Sequence, residues 1–464
     1  MTEADVNLQY ATAVSKSASF LERLYHDLGL HTLLNSPRDT KILFLHRFVR
    51  LFAYGQSALI LALHFNLLGI DDAHKGLFMT MALLGHLFFT FVLALVADAF
   101  GRRKLLAVGA TFMAGAGITF ALASNYWALL IAAILGVIGP SGNEVYPFRA
   151  IEESIIAQLT PAKVRSDIFG WYVLTGSLAI ALGSLTCGWI VHRLHTVYEW
   201  DLLSAYRVIY WLYTGLGCIK LLLSVILSEE CEANPTGPHS RHCDAEQRPL
   251  LVERCPPPPA APRRWIPELS PESKHVLIRL VFLLALDSMA SGIANMSWIT
   301  YYFAKTFSLD QSILGSIFFT INIVAAFGSL MAVPISRRFG LIRTMVFGHL
   351  PSGILLAFIP VFPGLAPAVA FLILRSSFAQ MDTAPRNAFI SGSVLSSERT
   401  AVMGIVNVAK ACAQSVGPLI AGWLASTNHF GAFFVLAGCM KATYDVLVYV
   451  VFAGMKTDRE GVPI

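Results

Sequence analysis

Twelve times along this chain an apolar run grows long enough to cross a bilayer. The first six runs fall at about 44–69, 77–97, 105–123, 127–148 (continuing as a helix to about 158), 168–191 and 205–227. The last six fall at about 276–303, 312–335, 342–362, 366–392, 401–425 and 431–454. A hydrocarbon core of ~30 Å needs about 20 helical residues to cross it. Lipid offers backbone groups no partner, so such runs must be helices that bond their own N–H and C=O groups. Only 14% of the 464 residues are charged, against about 25% in a soluble domain. Mean hydropathy is +0.62. The sequence predicts an all-α, polytopic membrane protein.

Between the sixth and seventh runs lies a polar stretch, 229–275, with Pro256 to Pro259 in a row. That composition is a flexible linker. The predicted domains are a cytosolic N-terminal segment (1–41), a six-helix bundle (42–228), the linker (229–275), a second six-helix bundle (276–456) and a cytosolic tail (457–464). Within the first segment, Phe20 to Leu34 reads as a short amphipathic helix on the membrane surface. No signal peptide is expected. Arg102, Arg103, Lys104, Lys163, Arg165, Arg337, Arg338, Arg343 and Arg399 fall in loops on one side, which the positive-inside rule makes cytosolic, with both termini. Lys75, Arg193 and Lys305 fall on the other side. Cys187, Cys218, Cys412 and Cys439 lie in apolar runs and read as small core hydrophobes; Cys231, Cys243 and Cys255 read as reduced linker thiols rather than a metal site. The net charge of +5 reports loop topology, and no basic stripe interleaved with aromatics points to nucleic acid.

The two halves repeat each other. Arg50-x4-Gly55 lines up with Asp287-x4-Gly292, and Asp71-x4-Gly76 with Asp310-x4-Gly315. Glu144-x-x-Pro147 lines up with Asp382-x-x-Pro385, and Arg165-x4-Gly170 with Arg399-x4-Gly404. Gly183-x4-Gly188-Trp189 matches Gly417-x4-Gly422-Trp423, and Gly217-Cys218-Ile219-Lys220 matches Gly438-Cys439-Met440-Lys441. Repeats of this kind mark transporter folds built from two pseudo-symmetric bundles.

On these residues the chain resembles the major facilitator superfamily over roughly 41 to 456. The turn Asp98-Ala99-Phe100-Gly101-Arg102-Arg103-Lys104 is similar to the family's Gly-x-x-x-Asp-Arg-x-Gly-Arg-Arg signature, with Ala94 and Ala99 in place of its first glycine and first arginine. Span five, Gly183 to Gly188, lacks the proline of the family's antiporter motif; Gly417-Pro418 to Ala421-Gly422 in span eleven is nearer to it. The segments Leu286-Asp287-Ser288 and Gln380 to Arg386 resemble a microbial, efflux-like subgroup. The resemblance implies a conformational gate of Asp98, Gly101, Arg102, Arg103 and Arg165, in which Asp98 contacts the start of span eleven. The charges Glu152, Glu153, Lys163 and Asp167 join that gate or are plain topology signals.

No phosphate loop, nucleophile elbow or zinc-protease motif is visible, so neither ATP-driven pumping nor enzymatic catalysis is expected, and no cofactor or metal. Charge inside spans is expensive and marks function by default. Arg50 and Asp287, at equivalent places in spans one and seven, are expected to approach or pair, either as a structural bridge between the halves or as a coupling pair. Glu144 either carries protons or pairs with Arg149; Asp382 shares a helix side with Arg375 and is followed by Arg386. Asn407 and Lys410 lie deep in span eleven, where Lys410 meets an anionic substrate or Asp382. Lys441 and Asp445, four apart, are expected to pair with each other outside the site. Tyr54, Trp171, Tyr172 and Trp298 read as cavity aromatics, and Tyr301 and Tyr302 as interfacial ones.

The expected function is alternating-access secondary transport of a small organic molecule, proton-coupled and directed outward. Uptake of a nutrient or organic anion by symport is the second reading, and a non-transporting receptor or scaffold the third. The expected partners are the substrate, protons and membrane lipid. The expected setting is the plasma membrane, as a monomer.

Overall fold

The computed structural model describes residues 30–140, 147–161, 164–232, 271–393 and 399–452, with some side chains inside these stretches, among them Asp98, Arg337 and Arg399, left outside the description. Glu144, Lys163 and most of the linker lie outside the described residues. The fold is all-α, and its helices assemble into twelve spans. Those of the first half are Arg38–Leu67, Asp72–Phe100, Arg102–Leu122, the pair Tyr126–Gly136 and Pro147–Leu159, Arg165–His192 and Leu202–Ile226. Those of the second are the pair Pro271–Ile293 and Met296–Phe307, Gln311–Phe339, Leu341–Phe358, the pair Leu365–Phe378 and Thr383–Gly392, Arg399–Ser426 and Ala432–Phe452. A short helix, Leu30–Leu34, is the described part of the expected surface helix.

Spans four, seven and ten are broken, where the apolar runs predicted continuous helices. In span four Val137 takes a left-handed backbone, φ 64°, and ends the first half. Pro147 opens the second half, a place where its missing N–H costs nothing. The freed carbonyls are not left bare: the Tyr213 hydroxyl donates to Gly136 O at 2.9 Å, and Tyr54 to Pro140 O at 3.4 Å. In span seven Asn295 restarts the helix by accepting from Trp298 N at 3.0 Å while donating to Gly292 O at 2.9 Å. In span ten residues 379–382 form the turn, and the helix resumes at Thr383 with Asp382 at its N-terminal boundary. Spans four and ten occupy corresponding positions in the repeat, and paired interruptions of this kind mark the binding region of transporters.

The turns after spans two and eight define one end of the molecule, called here the basic end: it carries Arg102, Arg103 and Lys104, and Arg338 and Arg343. Gly101 (φ 96°) and Gly340 (φ 84°) make these turns in a backbone region that other residues rarely adopt. At the opposite, far end, Asn125, Asp201 and Asp310 cap spans four, six and eight, accepting from otherwise orphaned first-turn N–H groups.

At the far end the two halves share one core. Leu59 to Ala62, Phe65 and Phe78 of the first half are buried together with Ile293, Trp298, Tyr301 to Phe303, Leu314 and Phe433 of the second. Tyr301 and Tyr302 sit inside it, 2% and 7% exposed, rather than at the lipid interface. At the basic end the cores are separate: Leu43, Leu105, Phe148, Ile155 and Tyr172 in the first half, Leu280, Leu284, Met345, Phe389 and Val448 in the second. Two glycine crossings close the far end. A Cβ on Gly76 would lie 2.6 Å from Pro418 O, and one on Gly188 2.3 Å from Gln311 O; Gly422 and Gly315 face them. These are the repeat's own matched glycines, so one crossing is the pseudo-twofold copy of the other. Polar bonds reinforce the seam: Lys75 donates to Tyr301 Oη at 2.9 Å, Lys305 reaches Asp72 at 3.1 Å, Gln311 reaches Tyr206 at 3.1 Å, and His192 meets Asp310 at 2.9 Å. Lys75, expected in an outer loop, is in fact 1% exposed.

Gly188→Leu should force spans five and eight apart and cost about 1–3 kcal/mol. A thermal melt of the purified protein checks this as a fall in melting temperature, while Gly170→Leu, whose Cβ would meet nothing, should melt like the parent.

Candidate transport site and gate

Each half holds its own buried ion network. In the first, Arg50 of span one donates to Glu152 of span four at 2.8 Å. His46, one turn before Arg50, meets the same carboxylate at 2.8 Å through Nδ1 and Ser224 of span six at 3.2 Å through Nε2. Tyr172 of span five donates to Glu152 as well. The Arg47 guanidinium stacks over the Tyr172 ring at 4.0 Å, and Lys220 of span six lies over Phe148 at 4.7 Å. Cation–ring contacts of this kind are strongest when desolvated.

In the second half, Asp287 of span seven accepts from Arg386 of span ten at 2.9 Å and from Lys441 of span twelve at 2.7 Å. Lys441 also donates to Ser291 at 2.8 Å. Arg386 meets Asp382 at 2.6 Å, so one guanidinium serves two carboxylates. His349 of span nine pairs with Asp445 at 3.0 Å and lies 4.0 Å from Asp287. Lys410 stands within electrostatic reach of Asp287 and Asp382, and Arg375 within reach of Asp287. Asn407 is exposed on span eleven.

These pairings correct four expectations. Arg50 and Asp287 do not bridge the halves; each is ion-paired inside its own bundle. Lys441 bonds to Asp287 and not to Asp445, whose partner is His349. Asp382 pairs with Arg386, and Lys410 forms no ion pair among the described residues. Glu152, grouped with the loop charges by its nearness to Lys163, is 0% exposed and is the hub of the first network. Arg149 pairs with Glu153 at 2.6 Å, and Glu144 lies outside the described residues. The signal for Glu152 was helical spacing: it falls on the same face as Phe148, Ile151 and Ile155, all buried. His46, Lys220, His349 and Lys441 gave no such warning, since their partners come from other spans.

At the basic end the gate residues serve the first bundle. The Glu232 carboxylate accepts from Arg102 N at 2.6 Å and Arg103 N at 3.3 Å, so the start of the linker caps span three at its positive end. The Arg102 side chain reaches Gln158 at 3.0 Å, and Gln158 holds Glu230 O at 2.8 Å. Arg165 caps the end of span four through Ala157 O at 2.8 Å and Thr160 O at 3.2 Å. Cys231 is buried in this junction, its thiol pushed up to about 12 by burial and then by Asp39, so at neutral pH it stays protonated. The expected contact of Asp98 with span eleven lies outside the described side chains.

Two bundles of six spans, paired interruptions in spans four and ten, and a glycine turn at the basic end set the comparison with known proteins. The sequence profile of the Major Facilitator Superfamily matches residues 43–286 and again 280–463. The chain belongs to this superfamily. It is therefore a membrane carrier and not an enzyme, and an integral, multi-pass protein. An uncharacterized membrane protein of Saccharomyces cerevisiae, YJR124C, is 33% identical over 429 residues, which is 90% of this chain and 95% of that one. Among solved structures, a bacterial homologue of the human lysosomal transporter Spinster, inward-facing and occupied, superimposes with a TM-score of 0.69 at 12% identity, covering 90% of this chain and 96% of that one. A D-xylose–proton symporter gives 0.63 at 17% identity, covering 88% and 96%. At these identities the structures share the fold.

Replacing Glu152 with leucine should cost about 3–5 kcal/mol, because it breaks the buried ion pair with Arg50 and removes the acceptor of the Tyr172 hydroxyl. Adding Arg50→Met should recover much of that loss, as paired removal of a buried bridge often does. A double-mutant cycle on melting temperature reads the outcome.

Proposed function

We propose that this carrier moves a small organic solute by alternating access, coupled to protons, with export as the direction. The basic end then faces the cytosol, as its arginine and lysine loops suggest, and the conformer with a shared far-end core is inward-facing. The observation that carries the coupling is Arg386 held between Asp287 and Asp382. Asp287 keeps a second cation in Lys441, whereas Asp382 depends on Arg386 alone for an ion pair among the described residues. A proton taken up at Asp382 removes the need for that pair and leaves Arg386 to Asp287. Asp382 also stands where span ten is broken, so the change of partner acts on the element most ready to bend. Arg50, Arg375, Asn407 and Lys410 lie on the spans that contribute to the site, with Arg149 on span four. The solved proton symporter of the same fold supports proton coupling, and the Gln380 to Arg386 segment, which resembles efflux-like members, supports export.

Proteoliposomes with an imposed pH gradient and a panel of labelled solutes test this. The parent should drive solute against its gradient, and Asp382→Asn should lose gradient-driven flux at least tenfold while still exchanging solute across the membrane at equal pH. If Asp382→Asn keeps the parent's response to the gradient, the proton site is elsewhere.

A further inference from the structure

Two cations of the second half stand outside its ion pairs. Asp287 is held by Arg386 and Lys441, Asp382 by Arg386, and Asp445 by His349. Arg375 of span ten and Lys410 of span eleven take no part. Among the described residues neither makes a hydrogen bond or an ion pair, and the Arg375 Nε is buried without a partner. The two stand at one depth. Arg375 is ten residues past Leu365, and Lys410 eleven past Arg399. At ~1.5 Å per residue each lies about 15 Å in from its own end, near the middle of a ~30 Å hydrocarbon core. Both are within electrostatic reach of Asp287, so they converge on one region.

Both face inward. On span eleven, Ile405, Val408, Leu419 and Trp423 form an exposed apolar stripe, the side that lipid covers. Helical spacing puts Asn407 and Lys410 on the opposite side. Asn407 is exposed there and Lys410 half-buried, so that side borders the space between the halves. Arg375 shares a face with Ala368 and Leu372, both fully buried, yet is itself half-buried. The fold does not require either cation. Carried back seven residues, the match of Glu144 with Asp382 pairs Val137 with Arg375; carried on eleven, the match of Arg165 with Arg399 pairs Gly176 with Lys410. The first bundle is thus built with neither. A charge at mid-membrane is costly and marks function by default, and a ligand of opposite charge accounts for these two.

We propose that the solute is a small organic anion, and that its carboxylate or phosphate group binds between Arg375 and Lys410. The assignment rests on the carrier function proposed above and names the class of its solute. The Arg375 guanidinium offers a planar fork that fits either oxyanion, and Lys410 adds a compact point charge.

The test uses the full-length protein in proteoliposomes under an imposed pH gradient, with fluxes taken over protein-free liposomes. The labelled probes are gluconate, succinate and benzoate as carboxylates, and glucose 6-phosphate and glycerol 3-phosphate as phosphates. Glucose, succinamide, benzamide and glycerol are their neutral counterparts, and tetraethylammonium is the cation. The parent should move at least one anion at least tenfold faster than its neutral counterpart, and the carboxylate and phosphate arms tell which group fits. Arg375→Gln and Lys410→Gln should each cut that flux at least tenfold and raise the half-saturating concentration, while Lys410→Arg keeps it. Both glutamine variants should melt no lower than the parent, since neither residue holds the fold together. A parent that carries only neutral or cationic probes overturns the anion assignment and leaves the carrier function standing; a parent that carries none of the probes overturns both. Undiminished anion flux in the two glutamine variants, or a loss of flux matched by a lower melting temperature in each, also overturns the assignment.

Discussion

Burying ions in a low-dielectric bundle is the constraint on which the rest of this molecule depends. A lone charge in a membrane span is costly, and a pair broken inside a bundle costs more than it ever contributed. The chain meets this by closing each network within one half. Span one, span four and span six hold Arg50, Glu152 and Lys220; span seven, span ten and span twelve hold Asp287, Arg386 and Lys441. The topology of the two networks is the same; the signs are exchanged between spans one and seven and between spans four and ten, while spans six and twelve both carry lysine. Because, among the described residues, no ion pair of these networks joins one half to the other, each half can travel as a unit.

What joins the halves is of a different kind. Glycine crossings, an aromatic core and polar bonds at the rim close the far end. Contacts of this sort are made and lost without stranding a charge in hydrocarbon, since Lys305, Asp72, His192 and Asp310 all retain some access to solvent. At the basic end the separate cores and the linker start, pinned by Glu232 on the Arg102 and Arg103 amides, belong to one half each. The seam and the networks thus divide the work between motion and rigidity.

Much of the fold was legible from apolar runs, because a lipid environment allows few alternatives for them. Twelve segments, the two halves and the glycine turn at residue 101 could all be read from spacing. The breaks in spans four, seven and ten could not, since the Tyr54 and Tyr213 hydroxyls that cover the freed carbonyls of span four act across the bundle, and the local cap at Asn295 sits inside an unbroken apolar run. The site was read in part. Asp287, Asp382, Arg386 and Arg50 stood out as charges in apolar surroundings. Their partners did not follow, because pairing was assigned by symmetry between halves or by four-residue spacing, whereas burial rewards whichever opposite charge the packing brings near. Glu152 was obscured by the basic loop beside it, and only the apolar face it shares with Phe148 and Ile155 places it inside.

The central claim is that protonation in the second network drives a rigid-body change at the far end. The distance distribution between nitroxide labels at Ser124 and Thr427, exposed far-end positions on the two halves, measured by pulsed electron resonance as pH falls, tests it most directly. The account predicts a short, closed distance at high pH, a longer component that grows as pH falls, and one fixed distribution at every pH in Asp382→Asn. A parent distribution that does not change with pH, or a pH response that survives in Asp382→Asn, would contradict it.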